Sequence, residues 1–377
     1  MRNQKRSTSN EQRAIPLKTG SSTSNEQRAT SNSLRLVAWE LTRKCNLNCV
    51  HCRAGSERGP YPGELDTSQC FELLAQISEV GKPIVILTGG EPLLRDDIFE
   101  LALRGTELGL RMVMATNGTL LTPGIIEKMK SSGIKRISIS IDGAAEKQHD
   151  SFRKVPGAFK GALEGIRLLR EGGVEFQINT TVTRHNIGDI SKILDLSVEL
   201  GAVAHHIFLL VPTGRAREMV DQEIDALDYE QVLNWFYQTR ETVPLHLKAT
   251  CAPHYYRILR QEAHKKGEKV NFETYGLDAV TRGCLGGTAF CFISNQGVVQ
   301  PCGYLELNCG DLKTATFQSV WRESEIFNQL RDVSSYKGKC GRCEYLRVCG
   351  GCRARAFEAT GDFLAEEPLC VYQPGRK

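Results

Sequence analysis

Three cysteines open the chemistry of this chain. Cys45, Cys49 and Cys52 are spaced C-x3-C-x2-C within Cys45-Asn-Leu-Asn-Cys49-Val-His-Cys52. Three thiolates on one short loop can grip three corners of a cubic iron–sulfur cluster and leave the fourth iron open. A zinc site would recruit four protein ligands, and His51 is the only local substitute for a fourth thiol. A second group follows as Cys284-x6-Cys291-x10-Cys302, Cys340-x2-Cys343-x5-Cys349-x2-Cys352, and Cys370. Eight thiols would serve two four-cysteine clusters, although C-x2-C pairs also build zinc ribbons. Cys70, Cys251 and Cys309 are left over. Between the two groups stands Thr88-Gly89-Gly90-Glu91-Pro92. Its glycines let backbone approach a ligand closely, and Glu91 can accept hydrogen bonds from an ammonium group.

Such residues need elements to aim them. Largely apolar runs of strand length occur at 36–41, 83–87, 112–115, 136–141, 176–182 and 203–210, with helical spacing at 67–80, 96–108, 123–131, 158–170 and 189–200. The first helix should turn Phe71, Leu74, Ile77 and Ser78 to one face. Six β–α units in succession predict a parallel sheet with right-handed crossovers. Six is too few for a closed eight-fold barrel, leaving an open partial barrel or a doubly wound sheet. The triplet follows the first strand, Gly89–Glu91 the second, Asn117 the third, and Ser140 and Asp142 stand at the end of the fourth. Strand C-termini are where such folds put chemistry. The alternation is expected to end near Pro212.

With 377 residues, 41% hydrophobic and 24% charged, the chain has material for two or three folded units. Disorder throughout, collagen and a coiled coil are excluded. No apolar run approaches the length of a membrane span, and the best one contains His205 and His206. Residues 1–34 are polar and carry the octapeptide S-T-S-N-E-Q-R-A twice, at 7–14 and 22–29, which predicts a disordered tail. That tail holds six basic and two acidic residues, so the whole net charge of +4 belongs to it and the body is neutral. Nucleic-acid binding by the folded body therefore has no electrostatic basis. The N-terminus has no apolar signal segment, and fourteen cysteines without one suggest metal ligation in a reducing cytoplasm.

The triplet at the first strand end, beside Gly-Gly-Glu-Pro, resembles the radical S-adenosylmethionine (SAM) superfamily. That resemblance implies a partial (β/α)6 barrel in which Cys45, Cys49 and Cys52 hold a [4Fe-4S] cluster with an open iron. Gly89, Gly90 and Glu91 would meet the amino group of SAM, and Ser140, Asn117 and Arg153 its ribose or carboxylate. The later cysteines, with Gly297-x4-Cys302, resemble the SPASM extension of these enzymes. Carried over, its pattern gives Cys284, Cys291, Cys302 and Cys352 to an inner auxiliary cluster. It gives Cys340, Cys343, Cys349 and Cys370 to an outer one. The spacing before Cys352 is one residue shorter than the usual pattern. The division implied is tail 1–34, core 35–250, bridge 251–283 and SPASM-like iron–sulfur domain 284–377, with one or two auxiliary clusters.

Longer stretches narrow the resemblance. Leu34-Arg-Leu-Val-Ala-Trp-Glu-Leu-Thr-Arg43, Tyr61-Pro-Gly-Glu-Leu, His206-Ile-Phe-Leu-Leu-Val-Pro-Thr-Gly-Arg215 and Pro301-Cys-Gly-Tyr-Leu are similar to the heme b synthases of the siroheme-dependent heme pathway. The likeness implies oxidative decarboxylation of two propionates of iron-coproporphyrin III to vinyl groups, with an electron donor and an acceptor as partners. A flat polyanionic tetrapyrrole calls for cationic anchors and apolar walls. Arg215, Arg217 and Lys248 are candidate anchors, Tyr255 and Tyr256 candidate walls, and His254 a candidate iron ligand. Rival readings are another tetrapyrrole, a ribosomal peptide, or a non-enzymatic zinc-ribbon protein.

Overall fold

The computed structural model describes residues 33–375, so the expected tail lies outside them except for Ser33 and Leu34. The alternation forms β1 Leu36–Glu40, α1 Thr67–Val80, β2 Ile84–Thr88, α2 Ile98–Glu107, β3 Arg111–Thr116, α3 Pro123–Ser131 and β4 Ile137–Ser140. It continues with α4 Glu146–Arg153, α5 Ala158–Glu171, β5 Phe176–Val182, α6 Ile190–Glu199 and β6 Ala204–Leu209. All six expected strands form, each end within one residue. The alternation does not stop near Pro212: α7 Ala226–Thr239 leads to a seventh strand, β7 His246–Thr250, followed by α8 His254–Lys265. β7 reads His-Leu-Lys-Ala-Thr, a period-two pattern with polar residues on one face, and so lacks the apolar run that marks the other strands.

The strands β1 to β7 lie side by side in chain order and every pair is parallel. A doubly wound sheet would reverse its order partway, so the open partial barrel is the fold. On the free edge of β1, β8 Phe290–Ile293 pairs parallel, extended antiparallel by β9 Val298–Gln300 and β10 Gly310–Asp311. The cysteine-rich section thus continues the same sheet. Helices α9 Phe317–Glu323, α10 Glu325–Arg331 and α11 Arg353–Thr360 complete it. Among the described residues no helix is long and apolar enough to cross a membrane.

The strand faces divide the molecule. Val37, Val85, Met112, Ile137, Ile178, Ile207 and Leu247 are all buried in one core with the helices. Each such side chain contributes roughly 1.5–3 kcal/mol relative to exposure. Residues of opposite parity face the inside of the barrel and remain half-accessible, among them Ala38, Ile86, Ser140, Asn179, His206 and Lys248. The stripe of α1 differs from expectation: Cys70, Leu73, Leu74 and Ile77 are buried, while Phe71 and Ser78 sit at its margin. Asp66 caps this helix in a reciprocal box with Gln69, which sets the helix start.

Candidate active site

The loop leaving β1 carries the triplet, and two neighbours grip it. From β2, the backbone N–H of Gly90 donates to Thr42 O at 2.8 Å and that of Glu91 to Lys44 O at 2.7 Å. A Cβ on Gly89 would stand 2.3 Å from Thr42 O, and one on Gly90 2.4 Å from Lys44 O. Both positions therefore need glycine to seat the cysteine loop. From the other side, Gly214 has φ +58° and presses against Arg53 O, where a Cβ would lie at 2.0 Å. The following Arg215 donates from its backbone to Cys52 O, and from its guanidinium to Cys49 O and Ser56 O, each at 3.0 Å.

All three sulfurs receive N–H donors: Leu47 N to Cys45 Sγ at 3.4 Å, Ser56 N to Cys52 Sγ at 3.3 Å, and Arg153 Nη1 to Cys49 Sγ at 3.5 Å. Leu47, Val155 and Ala158 close an apolar wall around them. Burial pushes the Cys45 thiol up to about 12 and raises Cys49, so ionised sulfur here needs a cation in contact. Among the described residues no three His, Cys, Asp or Glu side chains converge as tightly as one metal ion requires. Three thiolates on one loop are the donor set that an iron–sulfur cluster takes.

The other expected SAM contacts surround this loop. Glu91 is fully buried and accepts from Asn117 N at 2.8 Å, the Thr116 hydroxyl at 2.7 Å and Leu93 N at 3.2 Å. Burial raises its pKa to about 7 against the pull of these donors. Asn117 donates from its amide to Asn46 Oδ1 at 2.8 Å, tying β3 to the triplet loop. Ser140 ends β4 on the inner face, half-buried. Arg153 is engaged within the protein: it forms an ion pair with the fully buried Asp142 and reaches Cys49. Asp142 also accepts from Thr181 N at 2.7 Å. His51 stacks on Phe152 with ring centroids 4.2 Å apart and lies 4.0 Å from Asp142. Its place inside the triplet was the one available signal for that contact.

The later cysteines fall into two groups, one of which contains Cys251 where the SPASM resemblance implies Cys291. Cys340, Cys343, Cys349 and Cys370 line a single recess together with His254 and Arg257. Glu367 N donates to Cys340 Sγ at 3.4 Å, Tyr345 N to Cys343 Sγ at 3.4 Å, and Gly351 N to Cys349 Sγ at 3.5 Å. The second group is Cys251, Cys284, Cys302 and Cys352. Burial raises Cys251 well above its usual range, and the next causes are Cys352, Cys302 and, further down, Cys284. Cys302 responds to Cys352 and Cys284 in the same way.

Cys291 stands apart from that group. It lies in β8 opposite Val37, fully buried in the main core, and its electrostatic neighbours are Cys309 and Arg331. Cys251 instead holds a left-handed backbone, φ +56°, straight after β7. That conformation costs a non-glycine residue about 1–2 kcal/mol. Donors from Tyr229 at 3.1 Å and Arg355 at 3.3 Å hold its carbonyl there. Arg355 is itself fixed by ion pairs to Glu223 at 3.1 Å and Glu367 at 3.3 Å. Of the remaining thiols, Cys70 packs in α1 and Cys309 in the main core.

The residues suggested for substrate contact sort by their partners. Arg215 clamps the triplet loop and Arg217 pairs with Glu358 at 3.1 Å, so neither is a free anchor. Tyr255 and Tyr256 pack into the α7–α8 core, 2% and 3% exposed, and so do not wall a cavity as a pair. His254 belongs to the four-cysteine recess and has no accessible surface. The Lys248 side chain makes no ion pair or hydrogen bond among the described residues and stays on the inner face of β7. Between the triplet and the second thiol group stand Arg53 and Tyr304. Arg53 pairs with Glu40 at 2.9 Å and lies over Phe292, while Tyr304 is enclosed near Cys251, Arg53 and Cys302.

A parallel strand series in chain order, a three-thiol loop at its first C-terminal end and a second thiol group beside it define a radical SAM enzyme with an auxiliary iron–sulfur domain. Residues 39–197 match the Radical SAM superfamily, and residues 284–353 match SPASM, an iron–sulfur cluster-binding domain. SuiB of Streptococcus suis bound to S-adenosylmethionine shares the fold, with a TM-score of 0.71 at 17% identity over 93% of this chain and 80% of its own. The AdoMet-dependent heme synthase of Nitratidesulfovibrio vulgaris is 57% identical over 92% of this chain and 94% of its own length. The AdoMet-dependent heme synthase of Methanosarcina barkeri is 53% identical over 93% and 99%. The chain belongs to the AdoMet-dependent heme synthase family, and its cofactors are SAM and iron–sulfur clusters.

Proposed function

We propose that this enzyme converts two propionate side chains of iron-coproporphyrin III to vinyl groups, giving heme b. Cys45, Cys49 and Cys52 would hold the cluster that, together with SAM, would supply one-electron removal of a hydrogen atom from carbon. At a propionate, loss of the β-hydrogen atom, then of carbon dioxide and one electron, leaves a vinyl group. The chain has to bind the cluster and SAM, hold the propionate and take that electron away.

Gly89, Gly90 and Glu91 would receive the amino group of SAM, with Asn117 and Ser140 at the neighbouring strand ends. Arg153 would act through Cys49, keeping positive charge and a donor beside its sulfur. Cys251, Cys284, Cys302 and Cys352 would hold the inner auxiliary cluster. Cys340, Cys343, Cys349 and Cys370 would hold the outer one. The electron would leave by these clusters to an external acceptor, and a cytoplasmic donor would supply the first.

One observation carries the oxidative reading: the second thiol group lies across Arg53 and Tyr304 from the triplet loop. An electron acceptor bordering the reaction space is what loss of carbon dioxide with one electron requires. Anaerobic incubation of the cluster-loaded enzyme with SAM, a reductant and iron-coproporphyrin III should give mono- and di-vinyl products by mass spectrometry. Intact clusters and SAM cleavage without either product would overturn the substrate assignment.

A further inference from the structure

One row of side chains crosses the inner face of the barrel. By register, Ser140 on β4 stands opposite Asn179 on β5, Asn179 opposite His206 on β6, and His206 opposite Lys248 on β7. Their chain neighbours Ile139, Ile178, Ile207 and Leu247 are buried against the helices, so the row faces inward. His206 and Lys248 keep accessible surface although burial depresses the pKa of both. Both therefore present polar atoms to the inside of the barrel.

The row is wired to donate. Gln177 uses its amide nitrogen twice, to Asn179 Oδ1 at 2.9 Å and to His206 Nδ1 at 2.9 Å. An amide nitrogen can only donate, so the acceptor ends of both partners are occupied. The Asn179 amide nitrogen and the His206 Nε2–H remain as donors. Beside them is the Lys248 ammonium, which has no ion pair among the described residues. Asp278 acts on it electrostatically without coming within 4.0 Å, and Arg35 adds positive charge. His246 lies next to this end of the row, its ring centroid 6.3 Å from that of His206.

We infer that Asn179, His206 and Lys248, oriented by Gln177, form a binding site for one carboxylate of the substrate. The inference rests on the polycarboxylate substrate proposed above. Three donors, one of them cationic, match the lone pairs of a carboxylate, which would pair the Lys248 charge. An ion pair also stabilises the carboxylate as an anion and opposes its loss as carbon dioxide. The row therefore holds a propionate that the product retains.

The test uses the full-length, cluster-loaded enzyme and titrates iron-coproporphyrin III by its absorbance. Lys248→Met should weaken binding about ten- to hundredfold, the worth of a charged hydrogen bond. SAM affinity and substrate-free SAM cleavage should be unchanged, which also shows that the variant is folded. Lys248→Arg should recover most of the loss. Gln177→Leu should weaken porphyrin binding by a smaller factor, by freeing Asn179 and His206 to turn. Wild-type turnover with Lys248→Met binding as tightly as wild type would overturn this site alone. No binding or turnover of the porphyrin by wild type would overturn the substrate reading and this site with it.

Discussion

The two thiol regions of this enzyme are built on opposite plans. The triplet sits on eight consecutive residues, so its sulfurs meet through local chain geometry and the neighbours only clamp the loop. The second thiol group draws Cys251 from the end of β7, Cys284 from before β8, Cys302 from after β9 and Cys352 from the cap of α11. Nothing local brings those four together; the sheet does, by pairing β8 with β1 and ordering β1 to β7. Local sets can be found from spacing, whereas dispersed sets depend on strand parity and on where the sheet ends. Cys291, which the SPASM resemblance makes a ligand, lies in β8 and is buried in the core.

Removing a thiol from each region should separate the two plans. Cys45→Ala should abolish SAM cleavage, because no other nearby thiol can replace a corner of the first cluster; retained cleavage would break the assignment. Cys251→Ala should lower iron by up to about four per chain, one cubane, while leaving substrate-free SAM cleavage. Cys291→Ala should keep all its iron and cost about 1 kcal/mol of stability as a small core cavity. If Cys291→Ala lost iron and Cys251→Ala did not, the set implied by the resemblance would be right and the one containing Cys251 wrong.

A smaller change should expose how the local region is clamped. Gly90→Ala would push a methyl into Lys44 O, backbone that cannot step aside as a side chain can. Such overpacking costs about 1–3 kcal/mol, so iron at the first cluster and SAM cleavage should fall severalfold while auxiliary iron stays. Gly188→Ala, where an added Cβ meets nothing within 4 Å, should change neither. Equal losses in both variants would mean that the close approach is not what matters.

The same contrast governs how far the sequence could be read. The six apolar strands, the triplet and Gly89-Gly90-Glu91 were legible because each is a contiguous pattern with one geometric outcome. β7 was missed because its polar residues alternate with apolar ones and remain partly accessible, which looks in sequence like an exposed edge. Cys251 carried no spacing signal at all; its evidence is the left-handed backbone held by Tyr229 and Arg355, a long-range effect. Arg215 looked like a substrate anchor because cations attract that reading, and only its three carbonyl-directed bonds reveal a clamp. Sequence identifies which side chains can do chemistry, while their partners decide which are free to do it.

The smallest effect should lie in how pH tunes the local region. Glu91 is wholly buried, and burial raises its carboxyl to about 7, with the donors from Asn117, Thr116 and Leu93 only partly offsetting this. Without SAM it is therefore increasingly neutral as pH falls below 7. A cation binds the ionised form, so SAM affinity should fall as pH drops through this value. From pH 7 to pH 6 the ionised fraction falls about fivefold, and the affinity of the cluster-loaded enzyme should follow. The measurement belongs below pH 7.5, since an α-amino group of pKa about 7.7–8.0 loses its charge above it. Equilibrium dialysis at constant ionic strength would read the slope. Glu91→Gln should bind more weakly at pH 7 and show a flatter profile, because its amide does not titrate. An equal slope in wild type and Glu91→Gln would assign the pH dependence elsewhere and remove Glu91 as the partner of the amino group.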